Sequence, residues 1–289
     1  MIDQDPDLEV QVAVAKVGKY AVSESGDTVE LIERPHGGLS LVLVDGQLSG
    51  KSAKAISNLV ARKAVSLLAD GVRDGAAARA AHDYLRTMRG GHVSATLNIV
   101  SIDLDTRTIV VSRNSHCPVV VVRTPSDGAS RELELLDEPS QAIGIHARTR
   151  PVITELPIAP DLHIVVFTDG VLSAGERYGQ SFAPRVPAFV LEWLGQAASV
   201  APVPWAGQYS PDPASTPESR LPATGREEGA GREPTLADAL LARAVELDQG
   251  RPGDDISVVV VSVVARQQPD PLPRRRLRVC LPIGHSYGS

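Results

Sequence analysis

The sequence predicts an α+β domain, and three observations lead there. Short segments of alternating or continuous apolar residues read as strands, and they fall in two groups separated by a pair of segments with helical apolar spacing. A further helical pair then precedes a last, nearly all-valine strand. With 289 residues and 43% hydrophobic content, the chain is long enough for one generous core, and we assign a single domain to residues 8–265.

From Leu8 to Val17 the apolar side chains alternate through Val10, Val12 and Val14, and Leu39 to Val44 is an apolar run ending at Asp45-Gly46. After Gly50 the period changes: Ala53, Ile56, Leu59, Val60, Ala64, Leu67 and Leu68 recur as on one helix face, and Gly71 supplies a stop. An alanine-rich helix follows from Ala76 to Met88, ending at Gly90-Gly91. Strands are predicted at Ala95–Leu104, Thr108–Ser112, Val119–Arg123 and Leu162–Phe167, with turn chemistry at Asp105-Thr106 and Asp127-Gly128 that makes neighbours antiparallel. Val186, Phe189, Val190, Trp193, Leu194 and Ala197 mark another helix, and Thr235 caps one that runs through Leu247. The valines of Ser257–Val264 imply a strand buried on both faces.

Seven of the 22 prolines lie between Val200 and Pro234 among Ser, Gly, Arg and Glu, so residues 200–234 read as a flexible insertion that is dispensable for catalysis. Trp205 and Tyr209 are its large apolar side chains and could dock on the domain. Residues 266–289 form a Pro-rich tail carrying Arg274, Arg275, Arg276 and Arg278. The net charge of -6 argues against a nucleic-acid partner. Two cysteines, Cys117 and Cys280, make no disulfide framework, and no apolar run approaches the roughly 18 residues of a membrane span. Asp3, Asp5, Asp7 and Glu9 occupy the place of a signal peptide's basic and apolar regions, so a soluble, cytoplasmic protein is expected.

Asp45-Gly46, Asp169-Gly170 and Asp254-Asp255 each sit at the edge of a predicted strand. Carboxylates on the ends of adjacent strands can converge, and hard cations such as Mg²⁺ and Mn²⁺ prefer such oxygen ligands. The glycine after Asp45 permits a close backbone approach, so its carbonyl is available as a ligand. A lone Asp-Gly is a common turn dipeptide; two of them and an Asp-Asp, all at strand ends, are a stronger signal.

In order along the chain, Leu41-Val42-Leu43-Val44-Asp45-Gly46-Gln47-Leu48-Ser49-Gly50-Lys51-Ser52-Ala53, Ala95-Thr96-Leu97, Asn114-Ser115-His116-Cys117-Pro118, Phe167-Thr168-Asp169-Gly170-Val171 and Gly253-Asp254-Asp255-Ile256-Ser257 resemble the motifs of the metal-dependent PPM (type 2C) phosphatases, in particular their bacterial SpoIIE-like group. The resemblance spans Val10 to Val264 apart from the insertion. It implies two packed antiparallel sheets flanked by helical pairs, a four-layer α-β-β-α sandwich with two divalent cations, Mn²⁺ or Mg²⁺, at one end. Asp45 would bridge both cations, the Gly46 carbonyl, Asp169 and Asp254 would complete the protein ligands, and Asp255 would support them from behind. Gly26-Asp27 is similar to an earlier Gly-Asp of the group, whose aspartate would hold a metal-bound water, although Asp27 equally suits a turn.

The implied activity is hydrolysis of a serine or threonine phosphomonoester on a protein, in bacterial partner switching an anti-anti-sigma (STAS-type) phosphoprotein. Departures bear on this. Gln47 stands where many members have a histidine and cannot deliver a proton, Leu48 replaces a glycine, and Ser173 replaces an acidic residue, which weakens the case for a third metal. His116 reads as a turn residue or as an acid, and His92 and Ser94 belong to no motif. The alternative function is a pseudophosphatase that keeps the fold and acts as a partner-binding regulatory module.

Overall fold

The computed structural model describes residues 8–125, 130–195 and 234–266. In chain order these form β1 (Leu8–Val17), β2 (Asp27–Glu33), β3 (Leu39–Gly46), α1 (Gly50–Ala69), α2 (Asp74–Arg89), β4 (Ala95–Asp103), β5 (Thr108–Asn114), β6 (Val119–Arg123), β7 (Glu132–Leu136), β8 (Val152–Pro157), β9 (Leu162–Phe167), α3 (Asp169–Ser173), α4 (Val186–Trp193), α5 (Leu236–Leu247) and β10 (Ile256–Ala265). The strands make two five-stranded sheets, ordered β1-β10-β9-β6-β7 and β2-β3-β4-β5-β8. Neighbouring strands are antiparallel throughout.

Side-chain alternation along each strand divides the core into three apolar layers. In β3, Leu41 and Leu43 point between the sheets, where they meet Val259 and Val261 of β10. Val42 and Val44 point the other way, onto Ile56, Val60 and Leu68 of α1 and Leu85 of α2. In β10, Val258 and Val260 face outward against Leu240 and Ala244 of α5 and Val190 of α4. Three apolar layers separate four structural ones, so the expected α-β-β-α sandwich is present, and β10 is valine-rich because both of its faces are covered.

Three strands, β2, β7 and β8, are absent from the sequence reading, and all three are sheet edges. Edge strands carry charges that blunt further pairing, here Glu30 and Glu33, Glu132 and Glu134, and Glu155, which disguise the apolar pattern. β3 runs two residues past Val44 because Asp45 and Gly46 still pair with Thr96 and Ala95. α4 stops at Trp193, short of the expected Ala197; Gly195, at φ +85°, turns the chain out of the helix. The expected cap of α5 holds: Thr235 and Asp238 form a reciprocal capping box. The Asp127-Gly128 turn, Ala197, all but the last residue of the 200–234 insertion, Trp205, Tyr209 and the tail beyond Arg266 lie outside the described residues. Among the described residues, no helix is long and apolar enough to cross a membrane.

Candidate metal centre

The three aspartates singled out in the sequence come together. Asp45 is the penultimate residue of β3, Asp169 opens α3 immediately after β9, and Asp254 lies in the turn entering β10. With Lys19, Gly46, Leu48 and Ser49 they line one cleft of about 360 Å³ at the end of the sandwich. Burial, reinforced by the charges of Asp169, Asp27, Asp254 and Asp255, pushes the Asp45 carboxyl up to about 9. Asp254 is likewise raised, chiefly by burial, although its Oδ1 accepts the Asp255 N–H at 2.9 Å.

Such crowding of carboxylates is the chemistry a divalent cation neutralises. Among the described residues no three His, Cys, Asp or Glu side chains close into a ready-made cage. An open acidic wall instead suits a small hard ion that keeps several waters. Gly46 fits a backbone ligand: a Cβ there would lie 2.2 Å from the Ala53 carbonyl oxygen of α1, so the position excludes any side chain.

Asp27 is wholly buried and sits opposite Asp45 in the β2–β3 ladder. Its Oδ2 accepts hydrogen bonds from the hydroxyls of Thr168 at 3.0 Å and Ser257 at 2.6 Å, both on the other sheet's side of the site, while its Oδ1 has no protein partner. Burial is the main reason its carboxyl rises to about 6. Its carbonyl accepts from the ammonium groups of Lys16 at 2.5 Å and Lys54 at 2.6 Å. Asp27 is thus more than a turn residue: it joins the two sheets beside the cleft.

Asp255 works as a clamp. Its Oδ1 accepts the Lys19 N–H at 2.9 Å and its Oδ2 the Gly26 N–H at 2.8 Å, so it fixes both ends of the β1–β2 connection. Its backbone also packs on Gly170, where a Cβ would come within 2.1 Å of the Asp255 carbonyl oxygen.

Sequence reasoning missed several contributors. Lys19 is the cationic residue lining the cleft, and a lone lysine in a loop carries no pattern. His116 has a turn role, as read, but the turn also brings its Nε2 to 3.7 Å from Asp169 Oδ2. That turn is built on the buried Arg113, whose guanidinium donates to the carbonyls of Ser115, Cys117 and Glu138. Burial pushes the neighbouring Cys117 thiol up, so it remains a thiol and no nucleophile. Gln47 is engaged with Ser94: its N–H donates to the Ser94 carbonyl at 3.1 Å and its Oε1 accepts the Ser94 N–H at 2.9 Å. Ser173 Oγ reaches only the Gly170 carbonyl within its own helix.

Comparison with known proteins agrees with this architecture. No curated protein matches the chain by sequence. The structure is similar to the PP2C phosphatase domain, with a fragment of the regulatory domain, of the cell fate determinant SpoIIE from Bacillus subtilis, at TM-score 0.65 and 16% identity over 91% of this chain. It is similar to the RsbU and RsbW domains of a Mycobacterium tuberculosis protein at TM-score 0.62 and 15% identity, again over 91% of this chain. The chain spans just under two thirds of each, 66% and 62%. The catalytic domain of the serine/threonine phosphatase PstP, solved with two manganese ions, matches at TM-score 0.54 and 16% identity, over 89% of this chain and 99% of its own. At these identities the likeness is one of fold. The sequence profile of Stage II sporulation protein E matches residues 35–186, more than half of the chain and a stretch that includes Asp45, Gly46 and Asp169. The chain therefore belongs to the Stage II sporulation protein E (SpoIIE) family and has the fold of the PP2C (PPM) phosphatase domains.

Proposed function

We propose that the chain is a metal-dependent phosphatase that hydrolyses a serine or threonine phosphomonoester on a bacterial regulatory phosphoprotein of the anti-anti-sigma type. The observation that carries this reading is the meeting of Asp45, Asp169 and Asp254, from three distant stretches, in one open cleft. In this reading Asp45, Asp169 and Asp254, with the Gly46 carbonyl, would hold two divalent cations, Mn²⁺ or Mg²⁺. When bound, such a pair supplies an acidified water and neutralises charge on the phosphoryl group.

The remaining steps belong to the chain's own residues. Thr168 and Ser257 fix the Asp27 carboxylate through its Oδ2, which leaves Oδ1 as an acceptor for a water beside Asp45. Lys19, held at its backbone by Asp255, offers an ammonium to the non-bridging phosphate oxygens. Gln47 is committed to Ser94 and donates no proton, so protonation of the leaving seryl oxygen is left to water in the open cleft.

Two relatives in fold support the finer parts of the proposal: PstP was solved with two manganese ions, and another relative carries RsbU and RsbW domains. A cytoplasmic site of action goes with a regulatory phosphoprotein substrate. The test is Mn²⁺-dependent release of phosphate from a serine-phosphorylated STAS-type protein, abolished by chelation. Tight binding of that protein without any release, with either metal, would favour the pseudophosphatase reading instead, for which the engagement of Gln47 with Ser94 is the supporting observation.

A further inference from the structure

We propose that Leu48 is a specificity-determining residue that seats an apolar side chain flanking the phosphorylated residue of the substrate. The proposal rests on the phosphatase reading of the cleft and adds a substrate feature to it.

Leu48 lines the same cleft as Asp45, Asp169 and Asp254. At 70% exposure it is the most exposed large hydrophobic residue among those described. Its backbone has φ +80°, a region that bulky side chains avoid and glycine enters freely. Neither property serves the chain's own packing, because burial would favour an inward side chain and relaxed geometry would favour a glycine. Strained backbone of this kind collects where a side chain must be held in a particular direction.

The loop is held in that conformation from both sides. Before Leu48, Gln47 exchanges two hydrogen bonds with Ser94. After it, Gly50 at φ +67° begins α1. The segment bridged to the residue after Ser94 carries one more exposed apolar residue, Ile145, at 44% exposure. Ile145 follows Ile143, which pairs with Ala95 directly after Ser94. Lys19 and Asp254 give the cleft polar lining as well. A small phosphomonoester has nothing to place against an outward leucine. A protein segment with an apolar residue beside its phosphoserine does, and covering that pair removes both side chains from water.

The test uses phosphoserine peptides that differ only in having Leu or Gly directly before, and in a second pair directly after, the phosphoserine. Turnover with Mn²⁺ and binding by fluorescence anisotropy are both measured. At one of the two positions the natural protein prefers Leu by about tenfold, mainly through KM and Kd. In Leu48→Gly the preference falls to within about twofold, and Leu48→Met restores most of it. The melting temperature of Leu48→Gly does not fall, since glycine takes φ +80° without strain. A natural protein indifferent to the flanking residue, or a Leu48→Gly that weakens both peptides equally, overturns the proposal. If neither peptide is turned over, the phosphatase reading fails, and the Leu-to-Gly ratio of the Kd values still decides the role of Leu48.

Discussion

Asp27 and Asp45 face each other directly across the β2–β3 ladder, two carboxylates at the same end of one sheet. Like charges in opposed positions weaken a strand pair, and here both groups are also substantially buried. One oxygen of Asp27 is satisfied by two hydroxyls, whereas Asp45 lies within the fields of Asp169, Asp254 and Asp255 as well. The end of the sandwich is therefore electrostatically unfavourable when metal-free, in a way that a bound cation would reverse.

Asp45→Asn is expected to stabilise the metal-free protein while removing its response to metal. The folded Asp45 carboxyl, at about 9, lies far above its unfolded value of about 4. A raised carboxyl contributes its full stability below the unfolded pKa and loses it as pH rises toward the folded one. The variant's advantage should thus grow between pH 5 and pH 8, reaching roughly 2–8 °C in Tm. Melts in chelator at both pH values measure this. Added Mn²⁺ should then raise the Tm of the natural protein and leave the variant unmoved. No advantage at pH 8 would show that the acidic crowding is relieved in some other way.

Asp169→Asn keeps the shape and removes a carboxylate charge from the opening of α3. Phosphate release should fall at least about 100-fold, with an unchanged circular dichroism spectrum. Calorimetric titration of Mn²⁺ gives a second reading. Identical binding by variant and natural protein would place the cations elsewhere.

Asp255→Ala strips the acceptor from two amides, those of Lys19 and Gly26, and one of these bonds is fully buried. The expected loss is about 2–4 kcal/mol in chemical denaturation. Turnover should fall too, because the loop carrying Lys19 is released at both ends. Asp255→Asn, which keeps one acceptor oxygen, should lie between the two. A variant that loses stability but keeps full turnover would separate the clamp from catalysis.

The parts of this fold that were legible in the sequence are those whose pattern reflects a single local environment. β10 sits between two apolar layers and reads as continuous valine; α1 has one buried face and reads at helical period. β2, β7 and β8 border solvent and carry glutamates, so neither pattern survives in them. The three acidic residues of the cleft were legible because each adjoins a recognisable strand. The bonds of Asp27 to Thr168 and Ser257 were not, since they cross 141 and 230 positions and join two sheets. Lys19 escaped for the same reason, as did the approach of His116 to Asp169: both follow from the packing of loops, which no local spacing encodes.

Ala53 of α1 is wedged between two glycines at the site. A Cβ on Gly46 would approach the Ala53 carbonyl oxygen to 2.2 Å, and a Cβ on Gly26 would approach the Ala53 Cβ to 2.6 Å. Both substitutions push α1 off the end of β3, but the obstacles differ. Gly26→Ala meets a side chain, so the second change Ala53→Gly should recover Mn²⁺ affinity. Gly46→Ala meets backbone, so the same second change should not rescue it. The Gly46→Ala variant should stay folded, because Ile56, Val60 and Leu68 still anchor the helix on Val42 and Val44, yet lose Mn²⁺ binding. Position of α1 and metal affinity are then linked, and the linkage is reciprocal: a phosphoprotein that seats α1 binds more tightly when Mn²⁺ is present. Affinity for such a partner, measured with and without Mn²⁺ in the natural protein and in the surface variant Arg62→Glu, tests the coupling. Rescue of both glycine variants by Ala53→Gly would mean that the side chain alone sets the contact; rescue of neither would mean that the helix does not act on the metal ligands through Ala53.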